Sequence, residues 1–111
     1  MFIHFPDDRM FFFAGLWERW WESKDAEPME TCTVITTTPN GLMSPIHNRM
    51  PVILESGDCG KWMDPKTSVD EASAILRSYP DGELEAIPVS GIVNSPANDV
   101  PQCVEPRAAA V

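Results

Sequence analysis

Met10-Phe11-Phe12-Phe13-Ala14-Gly15-Leu16-Trp17-Glu18-Arg19-Trp20-Trp21 is the stretch on which the fold turns. Phe13, Leu16, Trp17, Trp20 and Trp21 recur at the spacing of a helical stripe, whereas the aromatic density and Gly15 favour a strand. Extended, the segment places Phe12, Leu16, Glu18 and Trp20 on one face and Trp17, Arg19 and Trp21 on the other. Glu18 then sits among large apolar groups, where desolvation would raise its pKa and keep it protonated, as a general acid requires. The plain alternative for Glu18 is a solvated charge near a strand end.

Working downstream, Glu22 to Glu30 is charged and contains Pro28, the composition of an exposed connection. Thr31 to Thr38 alternates around Val34 and Ile35 and reads as a strand that ends at Pro39-Asn40-Gly41. Leu42 to Ile46 suits a short helical turn with Ser44 as a cap before Pro45. Pro51 biases Met50 toward extended geometry, so Val52-Ile53-Leu54 reads as a strand. A loop over 55–60 and a single turn over 61–65 follow. Ser68-Val69-Asp70-Glu71 is a capping box, and Val69, Ala72, Ile75, Leu76 and Tyr79 continue it at helical spacing, which predicts one clear helix over about 68–79. It ends before Pro80-Asp81-Gly82. Leu84 to Val89 reads as a strand, Val93 to Pro101 as a loop, Gln102-Cys103-Val104 as a last short strand and residues 107–111 as a frayed tail. Upstream, Met1 to Phe5 is apolar and runs into the turn-type cluster Pro6-Asp7-Asp8. The expected class is α+β and β-rich, with residues 1–106 in one domain.

With 111 residues, 43% of them hydrophobic, the chain can bury a core. Eight basic residues are scattered among seventeen acids, for a net charge of -9. Nonspecific binding to nucleic acid through bulk charge is therefore disfavoured, although a locally basic groove is allowed. Cys32, Cys59 and Cys103 are odd in number and contain no C-x-x-C, which suggests neither a disulfide framework nor a zinc site. A reducing cytosol is the natural compartment, and neither a metal nor a cofactor is expected. The apolar run Met10 to Trp17 is too short to span a bilayer, and no targeting segment is evident.

Chemistry concentrates in Ser44-Pro45-Ile46-His47-Asn48-Arg49-Met50-Pro51. An imidazole can exchange protons near neutral pH, and a guanidinium is suited to a phosphate or a carboxylate. If His47 to Arg49 is extended, both side chains share a face; if helical, they do not. The plain reading is a loop histidine and a solvent arginine, and spacing alone favours it. Trp17, Trp20, Trp21 and Trp62 could stack on unpaired bases, while core packing accounts for at least half of them. The cysteines read as small buried hydrophobes, none of them near a histidine in sequence, and His4 is given no role.

Four blocks carry a resemblance. Phe13-Ala14-Gly15-Leu16-Trp17-Glu18-Arg19-Trp20, Thr31-Cys32-Thr33-Val34-Ile35-Thr36-Thr37, Pro45-Ile46-His47-Asn48-Arg49-Met50-Pro51-Val52-Ile53-Leu54, and Pro88-Val89-Ser90 with Val93-Asn94-Ser95-Pro96 resemble, in order and spacing, the SOS-response-associated peptidase (SRAP) family, over its C-terminal half only. That resemblance implies a mixed, β-rich fold with a groove for single-stranded DNA. It also implies a cysteine, exposed as a new N-terminus, that forms a thiazolidine cross-link with an abasic-site aldehyde, together with autoproteolytic peptidase and lyase-type activity in the DNA-damage response.

By the same resemblance, Glu18 matches a glutamate that assists sugar-ring opening, His47 a proton-transfer histidine and Arg49 a DNA-phosphate contact, with Trp17 and Trp20 as candidates for base stacking. The family's N-terminal cysteine is expected to have no counterpart here, because bulky Phe2 after Met1 disfavours methionine removal and no cysteine stands near Met1. Ile92 and Ala97 stand where basic residues are common in the family, which lowers the DNA affinity expected. The expected partners are single-stranded DNA with an abasic site and an N-terminal half, with no membrane. A catalytically dead interaction module using Trp17, Trp20 and Trp62, or a degenerate fragment, are the competing readings, and unpaired sheet edges should favour self-association.

Overall fold

In the computed structural model, which describes residues 1–108, the aromatic stretch is extended rather than helical. Strands β1 (Phe2–His4), β2 (Phe12–Phe13), β3 (Gly15–Trp20), β4 (Met29–Val34), β5 (Thr36–Thr37), β6 (Met50–Pro51) and β7 (Ile53–Leu54) precede helices α1 (Cys59–Met63) and α2 (Val69–Ile75), and β8 (Glu85–Ile87) follows. The class is α+β. Two compact units are formed, one from residues 10–80 and one from residues 1–9 with the segment from Asp81 onward.

Residues 10–80 are organised around three long strands, each divided by one residue at which it changes partner. The first strand pairs through β2 with β7 and through β3 with β4. The second pairs through β4 with β3 and through β5 with β6. All three strands meet at Ala14, Ile35 and Val52, whose backbones close a ring: Ala14 N–H donates to Val52 C=O at 2.8 Å, Val52 N–H to Ile35 C=O at 2.9 Å and Ile35 N–H to Ala14 C=O at 2.9 Å. Each residue in the ring thus satisfies one donor and one acceptor that the breaks in the ladders would leave orphaned. Ala14 and Val52 are completely buried there. This division explains why the strand expected over 31–38 is interrupted at Ile35.

The core of this unit is Ala14, Val52, Leu54 and Ile75, with Ile35, Cys59, Trp62 and Leu76 packed against it. The capping box forms as its sequence dictates: Glu71 N–H donates to Ser68 Oγ at 3.1 Å and Ser68 N–H to the Glu71 carboxylate at 3.2 Å. Helix α2 stops at Ile75, short of the expected Tyr79, because Leu76 leaves helical geometry with ψ of 81°. Arg77 then bonds Glu55 and, at 3.0 Å, Asp58, tying the end of α2 to the approach to α1. The hydrogen bond to Glu55 raises the guanidinium's pKa further, so the clamp stays charged on the arginine side. Helix α1 begins at Cys59, inside the stretch expected to be loop.

In the other unit β1 pairs antiparallel with β8, and Phe5, Leu84 and Cys103 are its buried residues. His4 stacks on Phe2 with ring centroids 4.8 Å apart and meets Asp8 at 2.9 Å through Nδ1. The last expected strand is instead a 3₁₀ turn over Pro101–Cys103. Pro101 supplies a fixed φ at the first helical position, and Cys103 N–H bonds back to Val100 C=O at 3.0 Å. Val89 and Pro106 form a single bridge, and Arg107 N–H donates to Pro88 C=O at 2.7 Å. Of the tail expected to fray, residues 109–111 lie outside the described residues.

Candidate active site around His47 and Arg49

His47 is delivered by a helical turn with a buried anchor. Asn40, only 9% exposed, accepts from Met43 N–H through Oδ1 at 3.0 Å and donates through Nδ2 to Tyr79 C=O at 2.9 Å. Ser44 N–H then bonds Asn40 C=O, and both Ile46 N–H and His47 N–H bond Met43 C=O. The cap of this turn is therefore Asn40, not Ser44 as expected. The amide accepts at Oδ1 and donates at Nδ2, so one asparagine side chain caps the turn and bonds Tyr79 C=O at the same time. Asn40 is the site-supporting residue that the sequence reading passed over; its signal was an Asn after Pro39 and just before a turn, read there only as a strand end.

Beyond the turn the chain bends at Asn48, and Arg49 N–H donates to His47 Nδ1 at 3.1 Å. His47 to Arg49 is thus neither strand nor helix, yet the two residues are coupled directly. The Arg49 guanidinium folds onto β5: Nη2 donates to Thr36 C=O at 2.8 Å and to Thr36 Oγ1 at 3.1 Å, and Nε donates to Thr36 Oγ1 at 3.3 Å. Both side chains are exposed. Among the described residues no carboxylate pairs with Arg49, and the His47 ring has no hydrogen bond besides the one from Arg49 N–H. A chain of net charge -9 therefore presents a guanidinium without a carboxylate partner beside a solvent-facing imidazole.

The other expected participants make no hydrogen bond or ion pair with His47 or Arg49 among the described residues. Glu18 is exposed on β3, opposite Thr31, so the desolvation anticipated for it is not found. Its neighbours Leu16, Trp20 and Met29 are themselves open to solvent, which leaves nothing to exclude water. Neither does a hydrogen bond or ion pair join Glu18 to His47 or Arg49 among the described residues. Trp17, Trp20 and Trp21 are at least half exposed, against the expectation that half of the tryptophans are core. Trp17 and Trp20 occupy opposite faces of the β3–β4 ribbon, while Trp62 packs on the core and donates Nε1–H to Gly15 C=O at 3.1 Å. Trp17, Trp20 and Trp62 thus do not share one face. Cys32 is exposed on β4 rather than buried; Cys59 is half-buried and Cys103 buried. None of the three is bonded to His47. Among the described residues no group of three or more His, Cys, Asp or Glu could hold a metal ion, and no helix is long and apolar enough to cross a membrane.

A β-rich α+β fold with an exposed His/Arg pair beside a short strand is the class defined so far. The model of the SOS response associated peptidase (SRAP) family matches residues 1–96, and the chain belongs to that family. It is 43% identical over 106 residues to the abasic site processing protein YoqW of Bacillus subtilis, across 95% of this chain and 47% of that one. It is 37% identical to the abasic site processing protein HMCES of Gallus gallus over 88% of this chain and 29% of the relative. A crystal structure of a protein from Bacteroides thetaiotaomicron superposes with a TM-score of 0.81 at 28% identity, covering 96% of this chain and 47% of that one. The chain thus spans about half the length, or less, of the relatives it matches.

Proposed function

We propose that this chain supplies the His47–Arg49 portion of an abasic-site processing site, engaging single-stranded DNA that carries an abasic site in the DNA-damage response. The uncompensated Arg49 guanidinium carries this reading. Thr36 holds it through Nε and Nη2, which leaves Nη1 to meet a backbone phosphate. An abasic site in its open form presents an aldehyde, and capture of an aldehyde by an amine needs proton transfer at the carbinolamine stage. The solvent-facing Nε2 of His47 is the group placed for that transfer.

Covalent capture needs an amine and a thiol together, and neither His47 nor Arg49 supplies them. Cross-linking and autoproteolysis are therefore assigned to the family's site as a whole, and binding without cross-linking to these 111 residues taken alone. The solvated carboxylate of Glu18 lacks the burial that a general acid would draw on, so proton transfer is placed on His47. Trp17 and Trp20, on opposite faces of the ribbon, are left out of the DNA contact.

The test is to incubate the chain with single-stranded DNA containing one abasic site, then to resolve it on native and denaturing gels. Salt-sensitive retention on the native gel that Arg49→Ala weakens, with no band surviving denaturation, is the expected result. Absence of retention overturns the binding assignment, and a covalent band overturns the statement that the nucleophile lies outside these residues.

A further inference from the structure

The ring of His4 has an acid at each nitrogen and an aromatic on its face. Nδ1 lies 2.9 Å from Asp8 Oδ1, and Nε2 lies 3.6 Å from Oε2 of Glu85, the residue directly opposite on β8 in the antiparallel register. Phe2 stacks on the ring with centroids 4.8 Å apart and planes within 6° of parallel. The His4 side chain is only 15% exposed, whereas those of Asp8 and Glu85 reach solvent. Asp8 takes a left-handed backbone with φ of 55°, a conformation that is costly for a residue with a side chain, and its N–H donates to Phe5 C=O at 2.8 Å.

The two ring nitrogens are unequally satisfied. An ionised Asp8 carboxylate can only accept, so Nδ1 carries the proton of the neutral ring. Nε2 is then a bare acceptor: it is buried, has no hydrogen-bond partner among the described residues, and faces a second carboxylate that has no proton to give. An acceptor left in this state weakens the place it occupies. One proton corrects it, because an imidazolium donates from both nitrogens and each donor then meets an acid. Arg9, the cation just after this turn, is engaged elsewhere: it meets Glu83 at 3.0 Å and Asp7 at 3.9 Å, and its guanidinium lies over the Phe5 ring.

We propose that His4 is a proton-operated clasp on the β1–β8 pair. A proton taken from solvent settles on Nε2, the half-exposed Glu85 side chain swings to accept it, and one ring then ties β1 both to β8 and to the turn at Asp8. The groups that face the ring are Asp8 from the turn, Glu85 from β8 and the uncharged Phe2 from β1 itself. Taking up the proton strengthens the folded pair, so the clasp is closed at mildly acidic pH. It opens as pH rises through the range in which an imidazole gives up its proton. Neither His47 nor Arg49 belongs to this unit, so the clasp stands or falls independently of the DNA reaction.

Hydrogen exchange over 2–4 and 85–87 in the full chain tests it, with each rate divided by the intrinsic amide rate at that pH. Protection should rise about threefold from about pH 8 to about pH 5.5, the scale of one partly exposed ion pair. His4→Gln cannot take up a proton, and its protection should stay level across that range. Glu85→Ala, at a half-exposed position, removes the acid that receives Nε2–H and should also flatten the response; it keeps the test decisive if His4→Gln does not fold. At about pH 5.5 the Nε2 proton of His4 should give a resolved resonance, sheltered from solvent, in the parent chain and none in Glu85→Ala. Protection in the parent chain that does not change with pH overturns the proposal, and so does a response that survives in either variant.

Discussion

The backbone N–H of Arg49 donates to Nδ1 of His47, and that bond decides which ring nitrogen faces the solvent. Nδ1 can accept only while it carries no proton, so neutral His47 holds its proton on Nε2. Long-range proton–nitrogen correlation spectra of the chain should accordingly show a pyrrole-type Nε2 and a pyridine-type Nδ1 for His47. A predominant Nδ1–H tautomer would contradict the contact.

The same residue pair sets the expected response of DNA retention to salt. Each phosphate contact on a single strand contributes about 0.7 to the slope of log affinity against log salt. Arg49→Ala should lower the slope by about that much, a loss that titration at several salt concentrations would read. Arg49→Lys keeps the charge but forfeits the fork on Thr36, because an ammonium cannot reproduce bonds from both Nε and Nη2. Retention by Arg49→Lys should therefore fall between that of the parent chain and Arg49→Ala.

At the strand junction, Ala14 is fully buried and both of its backbone groups belong to the ring with Ile35 and Val52. Ala14→Val adds two methyl groups there. Overpacking of this kind costs about 1–3 kcal/mol, which should appear as a lower urea midpoint with an unchanged m value. Gly15→Ala next door should also destabilise, since a Cβ would stand 3.1 Å from the Thr33 carbonyl oxygen. A Val69→Ala control, at an exposed position of α2 outside the ring, should leave the midpoint near that of the parent chain.

These residues also show how far the sequence could be read. The Ser68 capping box was legible because all its partners lie within four residues and the pattern is local. The strand identity of Gly15–Trp20 was only half legible, since the helical stripe and the aromatic density pointed in different directions until pairing with Met29–Val34 was known. The ring of Ala14, Ile35 and Val52 could not be read at all, because it joins three strands through backbone groups that carry no side-chain signature. The solvent exposure of Glu18 was illegible for a related reason. Alternation places it among apolar residues but says nothing of whether another layer covers them, and here none does. His47 and Arg49 were legible as a pair through family resemblance, whereas the bond between them depends on a bend at Asn48 that spacing does not encode.

Asn40 offers the sharpest separation of support from chemistry, because it bonds neither His47 nor Arg49 yet builds the turn that carries His47. Its Oδ1 caps Met43 N–H, its Nδ2 bonds Tyr79 C=O, and the Met43 carbonyl in turn accepts from His47 N–H. Asn40→Ala deletes an acceptor and a donor in a buried place, which should cost about 1–3 kcal/mol by the penalty for unmade buried hydrogen bonds. Asn40→Asp keeps the acceptor for Met43 but sets a carboxylate oxygen against the Tyr79 carbonyl, so it too should destabilise while preserving the cap. The two variants therefore part in amide exchange rather than in stability. Under conditions where both are folded, His47 N–H should exchange faster in Asn40→Ala, whose turn is uncapped, than in Asn40→Asp. If the cap positions the imidazole, abasic-site DNA retention should follow the exchange rate at His47 and not the unfolding midpoint. Retention that instead followed the midpoint would reduce Asn40 to a stabilising residue and remove it from the support of the site.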